Sequence, residues 1–141
     1  VLHPAAGSDA ASDNESSLVL AVEAAGRRWL LTGDLEGRAL ERFVAAGPDS
    51  CDVLVAPHHG SLTSLPPDVA TATRPAVVVV SGAEGRSWPQ VRAAYAATGA
   101  AEVLRTGRDG AVAVDADAGS LLVRRFTGGR WRPVPEPGRG G

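Results

Sequence analysis

The stretch VLVAPHHGS, Val53 to Ser61, places two adjacent histidines in a short loop after a hydrophobic run. His58 and His59 are two of only three histidines in the chain. Imidazole is a ligand for zinc, manganese and iron, and so is carboxylate. A carboxylate is offered by the segment LLTGD, where Gly33 allows a tight turn and Asp34 follows a strand-like run. A third loop, SGAEGRSWP, follows a run of valines. In layered α/β proteins ligands collect beyond strand ends, because strands hold loops rigidly there. An aspartate after one strand and a histidine pair after the next can therefore meet. Gly60 lets a backbone come close, and Ser61 can either hydrogen-bond a phosphate or cap a helix.

Each of these residues has a plainer use. Asp34 precedes a helical pattern and can be its N-cap, a role that metal binding does not exclude. Of two adjacent histidines in an extended chain only one faces a given metal, because neighbouring side chains diverge. The other then orients a ligand or contacts substrate. Ser61, Thr63 and Ser64 read as loop hydrogen-bonders, and Ser61 lacks the G-x-S-x-G elbow of a nucleophilic serine. Cys51 opens a buried strand and reads as a small hydrophobe, while Trp29 and Trp88 read as packing residues.

The elements that must position these loops follow from periodicity. SLVLAVEA and RRWLLT are β-prone and joined by Ala25-Gly26, a two-residue hairpin signal. In LEGRALERFVAAG the apolar residues Leu35, Ala39, Leu40, Phe43 and Val44 recur at helical spacing, and Gly47-Pro48 ends the helix. DVLVA and AVVVVS are continuous apolar runs of the kind found in strands buried on both faces. PPDVATAT and PQVRAAYAATG are helices opened by proline. EVLRT is a further strand, and GAVAVDA with SLLVRRF forms a last hairpin. The pattern predicts an α/β fold with a mixed sheet layered against helices. Residues 1–13 read as a leading loop, 14–126 as the folded domain, and 127–141 as a Pro/Gly/Arg-rich flexible tail.

The chain has 141 residues, one domain's length. Its net charge of −2 builds no general attraction to nucleic acid into the chain, though one groove could still hold it. One cysteine excludes an internal disulfide and a CxxC metal site. No window approaches the ~18–20 apolar residues of a membrane span. The first residue is not Met and no signal-peptide pattern follows, so the chain is expected to be part of something longer.

Together NESSLVL, WLLTGDLE, DVLVAPHHGS and LRTGRDGAVAV resemble the C-terminal part of the metallo-β-lactamase-like domain of ComEC/Rec2 competence proteins. The resemblance runs from about Asn14 to about Val114, with the motifs in the same order. It implies the second half of an αββα metallo-hydrolase sandwich with a two-metal site, holding zinc or manganese. Asp34 then matches the bridging aspartate and the His58-His59 pair the late histidine ligand, with His59 favoured. Gly33, Gly60 and Ser61 would line the site. In such sites metal ions stabilise the charge that develops on a phosphodiester under attack. The resemblance further implies a parent protein in the bacterial cytoplasmic membrane, this domain on its extracytoplasmic side, and DNA as the partner during uptake. No small-molecule cofactor is expected.

Two departures qualify that expectation. The superfamily's His-x-His-x-Asp-His motif is absent, since the remaining histidine is His3. Where the family has a His-Pro pair after the valine-rich strand, this chain has Trp88-Pro89. Asp34 and one or two histidines are too few ligands for a two-metal hydrolase. The leading expectation is a nuclease domain completed by an upstream half. The alternatives are a degenerate, non-catalytic module with a structural or DNA-guiding role, and a stand-alone metallo-hydrolase of another substrate.

Overall fold

The computed structural model describes residues 1–4, 11–83, 85–100, 102–117 and 120–134. Strands β1 (Leu20–Ala24) and β2 (Arg27–Leu31) form the expected antiparallel hairpin. Its turn residues Ala25 and Gly26 both have positive φ, 50° and 72°. That geometry matches the twist of the flanking strands, and glycine adopts it without strain. From β2 the chain runs through helix α1 (Gly37–Ala45) to β3 (Val53–Val55), then helix α2 (Pro66–Thr73) to β4 (Val77–Val80). Helix α3 (Trp88–Ala97) leads to β5 (Glu102–Arg105). The sheet order is β1-β2-β3-β4-β5, and β2 to β5 are all parallel.

Both faces of this mixed sheet are covered, which is why its inner strands read as unbroken apolar runs. Leu30, Leu54, Val78 and Val103 are cross-strand partners and form one row. They pack with Leu35 and Leu40 around α1, Val69 of α2, and Val91 and Tyr95 of α3. On the opposite face Val53, Val77 and Leu104 meet Val123, flanked by Trp29, Val79, Val112 and Val114. Val123 belongs to a second, antiparallel sheet of β6 (Ala111–Asp117), β7 (Ser120–Thr127) and β8 (Arg130–Pro133). The result is three layers: helices, mixed sheet, antiparallel sheet. This is the α/β layered fold that the alternating pattern predicts.

Four features depart from the sequence reading. Strand β8 lies inside the segment read as a flexible tail. Gly128 and Gly129 take positive φ (59° and 74°) and turn the chain back, and Trp131 packs edge-on against Phe126 at 5.4 Å. A Gly-Gly pair after a strand is a hairpin signal, so this strand was recoverable from the sequence. Residues 135–141 of that tail lie outside the described residues. A short helix α4 (Thr106–Asp109) follows β5 directly, closed by the Asp109 carboxylate on the Arg105 amide at 2.9 Å. The leading segment is tied to the sheet edge, with Leu2 N donating to Val19 O and Val19 N to His3 O. Finally, half of an αββα sandwich should expose the sheet face its partner covers, yet here that face is covered by the second sheet. That second sheet leaves Leu122, Phe126 and Trp131 exposed on its outer side. Among the described residues no helix is long and apolar enough to cross a membrane.

Candidate metal centre

Because β2 to β5 run parallel, their carboxyl ends share one rim, and each of the three loops nominated from the sequence leaves from it. Asp34 follows β2, His58 and His59 follow β3, and Ser81 and Gly82 follow β4. The loops are tied together: His58 N donates to Gly33 O at 3.0 Å, and Thr32 Oγ1 donates to Val55 O at 2.7 Å.

Asp34 and His59 are brought together. His59 Nε2 stands 3.4 Å from Asp34 Oδ1. His59 Nδ1 lies 2.8 Å from the carbonyl oxygen of Ser81. A carbonyl only accepts, so Nδ1 carries a proton there, and Nε2 is the ring nitrogen that faces Asp34. Metal-binding imidazoles are oriented in the same way, through the nitrogen that does not bind. Two donors held about 2.0–2.2 Å from one tetrahedral ion stand about 3.4 Å apart. Both side chains are open to solvent, at 46% for Asp34 and 61% for His59, so the pair lies at a surface and can be reached.

His58 turns elsewhere. Its Nδ1 lies 2.6 Å from Glu36 Oε2, a close polar contact without hydrogen-bond alignment. Glu36 Oε1 in turn accepts from Asn14 Nδ2 at 2.6 Å. The two imidazoles are 6.4 Å apart between centroids and tilted by 56°. The divergence anticipated for an extended chain is real, but its cause is different. His58 (φ 47°, ψ 50°) and His59 (φ 54°, ψ 27°) are both left-handed, and Gly60 follows at φ 70°. A non-glycine residue in this region costs on the order of 1–3 kcal/mol and persists only where its surroundings over-determine it. Ser61 N to His58 O at 2.9 Å and Ser64 Oγ to Pro57 O at 3.1 Å supply that constraint.

The remaining nominated residues have structural duties. Gly33 takes φ 56° against Ser17, and Asp34 N donates to Ser17 Oγ at 3.2 Å. Gly60 packs where a Cβ would come within 2.8 Å of Val80 Cγ1. Ser61 caps the short turn Leu62–Ser64, accepting from Thr63 N, and its hydroxyl faces Thr63 Oγ1 at 2.8 Å. The N-cap alternative for Asp34 does not hold. Glu36 is the N-cap residue of α1, and the Arg38 amide is taken by Glu15 at 3.0 Å. Glu36, Asn14 and Ser81 were missed by sequence reasoning. Glu36 lies two residues after Asp34 and could have been found as a second carboxylate in the same turn. Ser81 acts through its backbone, which no residue type announces. Among the described residues no group of three or more His, Cys, Asp or Glu side chains could hold a metal ion. Asp34 and His59 thus form a two-donor site by type, spacing and orientation, but not a complete coordination shell.

No family model matches the chain. It is 37% identical over 89 residues to ComE operon protein 3 of Bacillus subtilis, an alignment covering 62% of this chain and 11% of that protein. It is 35% identical over 77 residues to Recombination protein 2 of Haemophilus influenzae, covering 55% of this chain and 10% of that protein. The chain is related in sequence to ComEC/Rec2 proteins. It spans about a tenth of the length of the curated relatives it matches.

Proposed function

We propose that this chain is part of a ComEC/Rec2-like DNA-uptake protein. It would be the second half of a metallo-β-lactamase-like domain that cleaves a DNA phosphodiester outside the cytoplasmic membrane. The observation that carries the reading is the Asp34–His59 pair, 3.4 Å apart at the rim of the parallel strands and oriented by the Ser81 carbonyl. The relatives support the competence context, and the donor types support a divalent ion. Asp34 and His59 would hold zinc or manganese, with the remaining ligands coming from outside the described residues. Such an ion supplies charge stabilisation at a phosphoryl oxygen and a more acidic water. The chain's own contribution is positional. Ser81 O fixes the His59 tautomer, Gly33 O ties the histidine loop to the aspartate loop, and Gly60 seats that loop on Val80.

The test is calorimetric titration of the chain with Zn²⁺ and Mn²⁺. Saturable binding that weakens about tenfold or more in Asp34→Ala is expected, since each ligand of an open site carries a large share of the affinity. A chain that binds neither metal, or an alanine variant that binds equally well, sinks the reading. A second reading is a degenerate module without catalysis. It is favoured by Trp88 at the position of the family's histidine and by the two-donor set. It predicts the same fold with no measurable metal binding.

A further inference from the structure

Arg105 ends β5 on the same rim, yet the metal reading leaves it without a role. It is 8% exposed. Its guanidinium lies over the Trp88 ring at 5.3 Å from the centroid. Its Nε and Nη1 are fully buried and have no hydrogen-bond partner among the described residues. The indole Nε1 of Trp88, the ring that the guanidinium covers, is a further buried donor in the same state. The nearby carboxylate of Asp109 is committed elsewhere, to the Arg105 backbone amide at 2.9 Å and to Arg125 at 3.1 Å. An interior cation without a counter-charge is costly, and buried polar groups in native proteins nearly always have partners. Every unmet group here is a donor. The missing partner is therefore an acceptor, and beside a guanidinium the acceptor of choice is an anion.

The position says which anion. Arg105 Nη2 lies 3.9 Å from the point a Cβ would occupy on Gly82, and His59 Cβ lies 3.6 Å from that same point. Nη2 is also 3.9 Å from the corresponding point on Gly85. Gly82 and Gly85 thus put no side chain of their own against the Nη2 end of the guanidinium, and at Gly82 that end neighbours His59. Gly82 is pinned to the end of β5 by Gly82 N to Thr106 Oγ1 at 2.9 Å and Gly107 N to Gly82 O at 2.9 Å.

We propose that Arg105, held over the Trp88 ring, receives a backbone phosphate of a nucleic-acid strand beside the Asp34–His59 pair. This assignment rests on the phosphodiester reading above, but it makes no use of a metal. The guanidinium is a planar fork, and held over the indole it turns its Nη2 end toward Gly82 and Gly85, where a phosphate oxygen can accept. Lysine could supply the charge but not the fork.

The test uses the full chain, with EDTA present, and a short single-stranded oligothymidylate as probe, inorganic phosphate being the comparison. The indole N–H resonance of Trp88, assigned through Trp88→Phe, should shift on titration with the oligonucleotide. Arg105→Gln should weaken binding about tenfold and lower the salt slope by about 0.7, one single-strand phosphate contact. Arg105→Lys should fall between, with an unchanged amide spectrum as the check on folding. If Arg105→Gln unfolds the chain, the Arg105→Lys comparison and the Trp88 resonance carry the test. An unmoved Trp88 resonance, or an unchanged salt slope, overturns the proposal and leaves Arg105 as a packing residue. Inorganic phosphate binding as tightly as the oligonucleotide overturns the assignment to a strand. Loss of metal binding in the calorimetric test, with Arg105-dependent oligonucleotide binding intact, defeats the metal reading alone.

Discussion

The Glu15 carboxylate accepts the backbone N–H of Arg38 at 3.0 Å, capping helix α1 from a residue far outside that helix. It also accepts from Ala11 N at 2.9 Å. The Ala11 amide bond lowers the pKa of the Glu15 carboxyl below its ordinary 4.5, and burial opposes it. The Arg38 amide, the charge of Arg42 and the Ala39 amide lower it further. A carboxyl whose folded pKa is depressed stabilises the fold above its unfolded pKa and loses that contribution as pH falls through the folded value. Wild type should therefore melt at a higher temperature than Glu15→Gln at pH 7. The two should converge as the pH drops below the ordinary carboxylate value of 4.5. Thermal melts across that acid range check it, and a gap that persists at the lowest pH contradicts it.

Gly60 is both left-handed at φ 70° and pressed against the core, with Val80 Cγ1 2.8 Å and Val91 Cγ1 3.3 Å from a hypothetical Cβ. Val80 and Val91 are fully buried, so neither can swing aside into solvent. Gly60→Ala should destabilise the chain by about 1–3 kcal/mol, through overpacking and the positive φ together. Urea denaturation measures this, and a change under about 0.5 kcal/mol would show that the loop yields.

Cys51 is a free, buried thiol two residues before β3, and burial pushes its pKa up to about 11. At pH 8 the thiol should react slowly with iodoacetamide in the native chain and rapidly in denaturant, because the thiolate is the nucleophile. The linkage has the opposite sense to that of Glu15. The unfolded thiol ionises near its ordinary 9.0 while the folded one stays protonated, so stability is lost as pH rises from 9.0 toward about 11. Cys51→Ala should remove that part of the alkaline loss.

Local signals made much of this legible. Ala25-Gly26 marked the first hairpin, the four valines of β4 marked a strand buried on both faces, and Asp34 and His59 each followed a strand within a glycine-containing turn. Parallel strands force such turns onto one rim, so Asp34 and the histidine pair could be brought together from the sequence, while the preference for His59 came from the family resemblance. Other features depended on contacts that local pattern does not encode. The cap on Arg38 comes from Glu15, across the whole first hairpin. His58 meets Glu36 because the loop turns left-handed, and nothing in Pro-His-His-Gly announces two left-handed histidines. The Arg105–Trp88 contact joins the end of one strand to the start of the preceding helix, and each residue alone reads as ordinary. Strand β8 was legible through Gly128-Gly129 but was masked by the Pro/Gly/Arg-rich composition around it.

The two histidines should separate under mutation. His59 has its Nδ1 on the Ser81 carbonyl and its Nε2 3.4 Å from Asp34, so it is the imidazole with a nitrogen free to ligate toward the aspartate. His58 has its Nδ1 against Glu36 and its backbone N–H on Gly33 O, so its part is to hold the loop. His59→Ala should reduce Zn²⁺ or Mn²⁺ affinity about tenfold or more while leaving the melting temperature little changed, because the side chain is largely exposed. His58→Ala should reduce metal affinity less. It should lower stability by no more than about 1 kcal/mol, the usual upper worth of a partly exposed polar or ionic contact. Paired calorimetric titrations and melts of both variants decide the matter. If His58→Ala is the variant that loses metal, the left-handed turn must reverse the two rings when the ion binds, and the Glu36 contact becomes a feature of the metal-free chain alone.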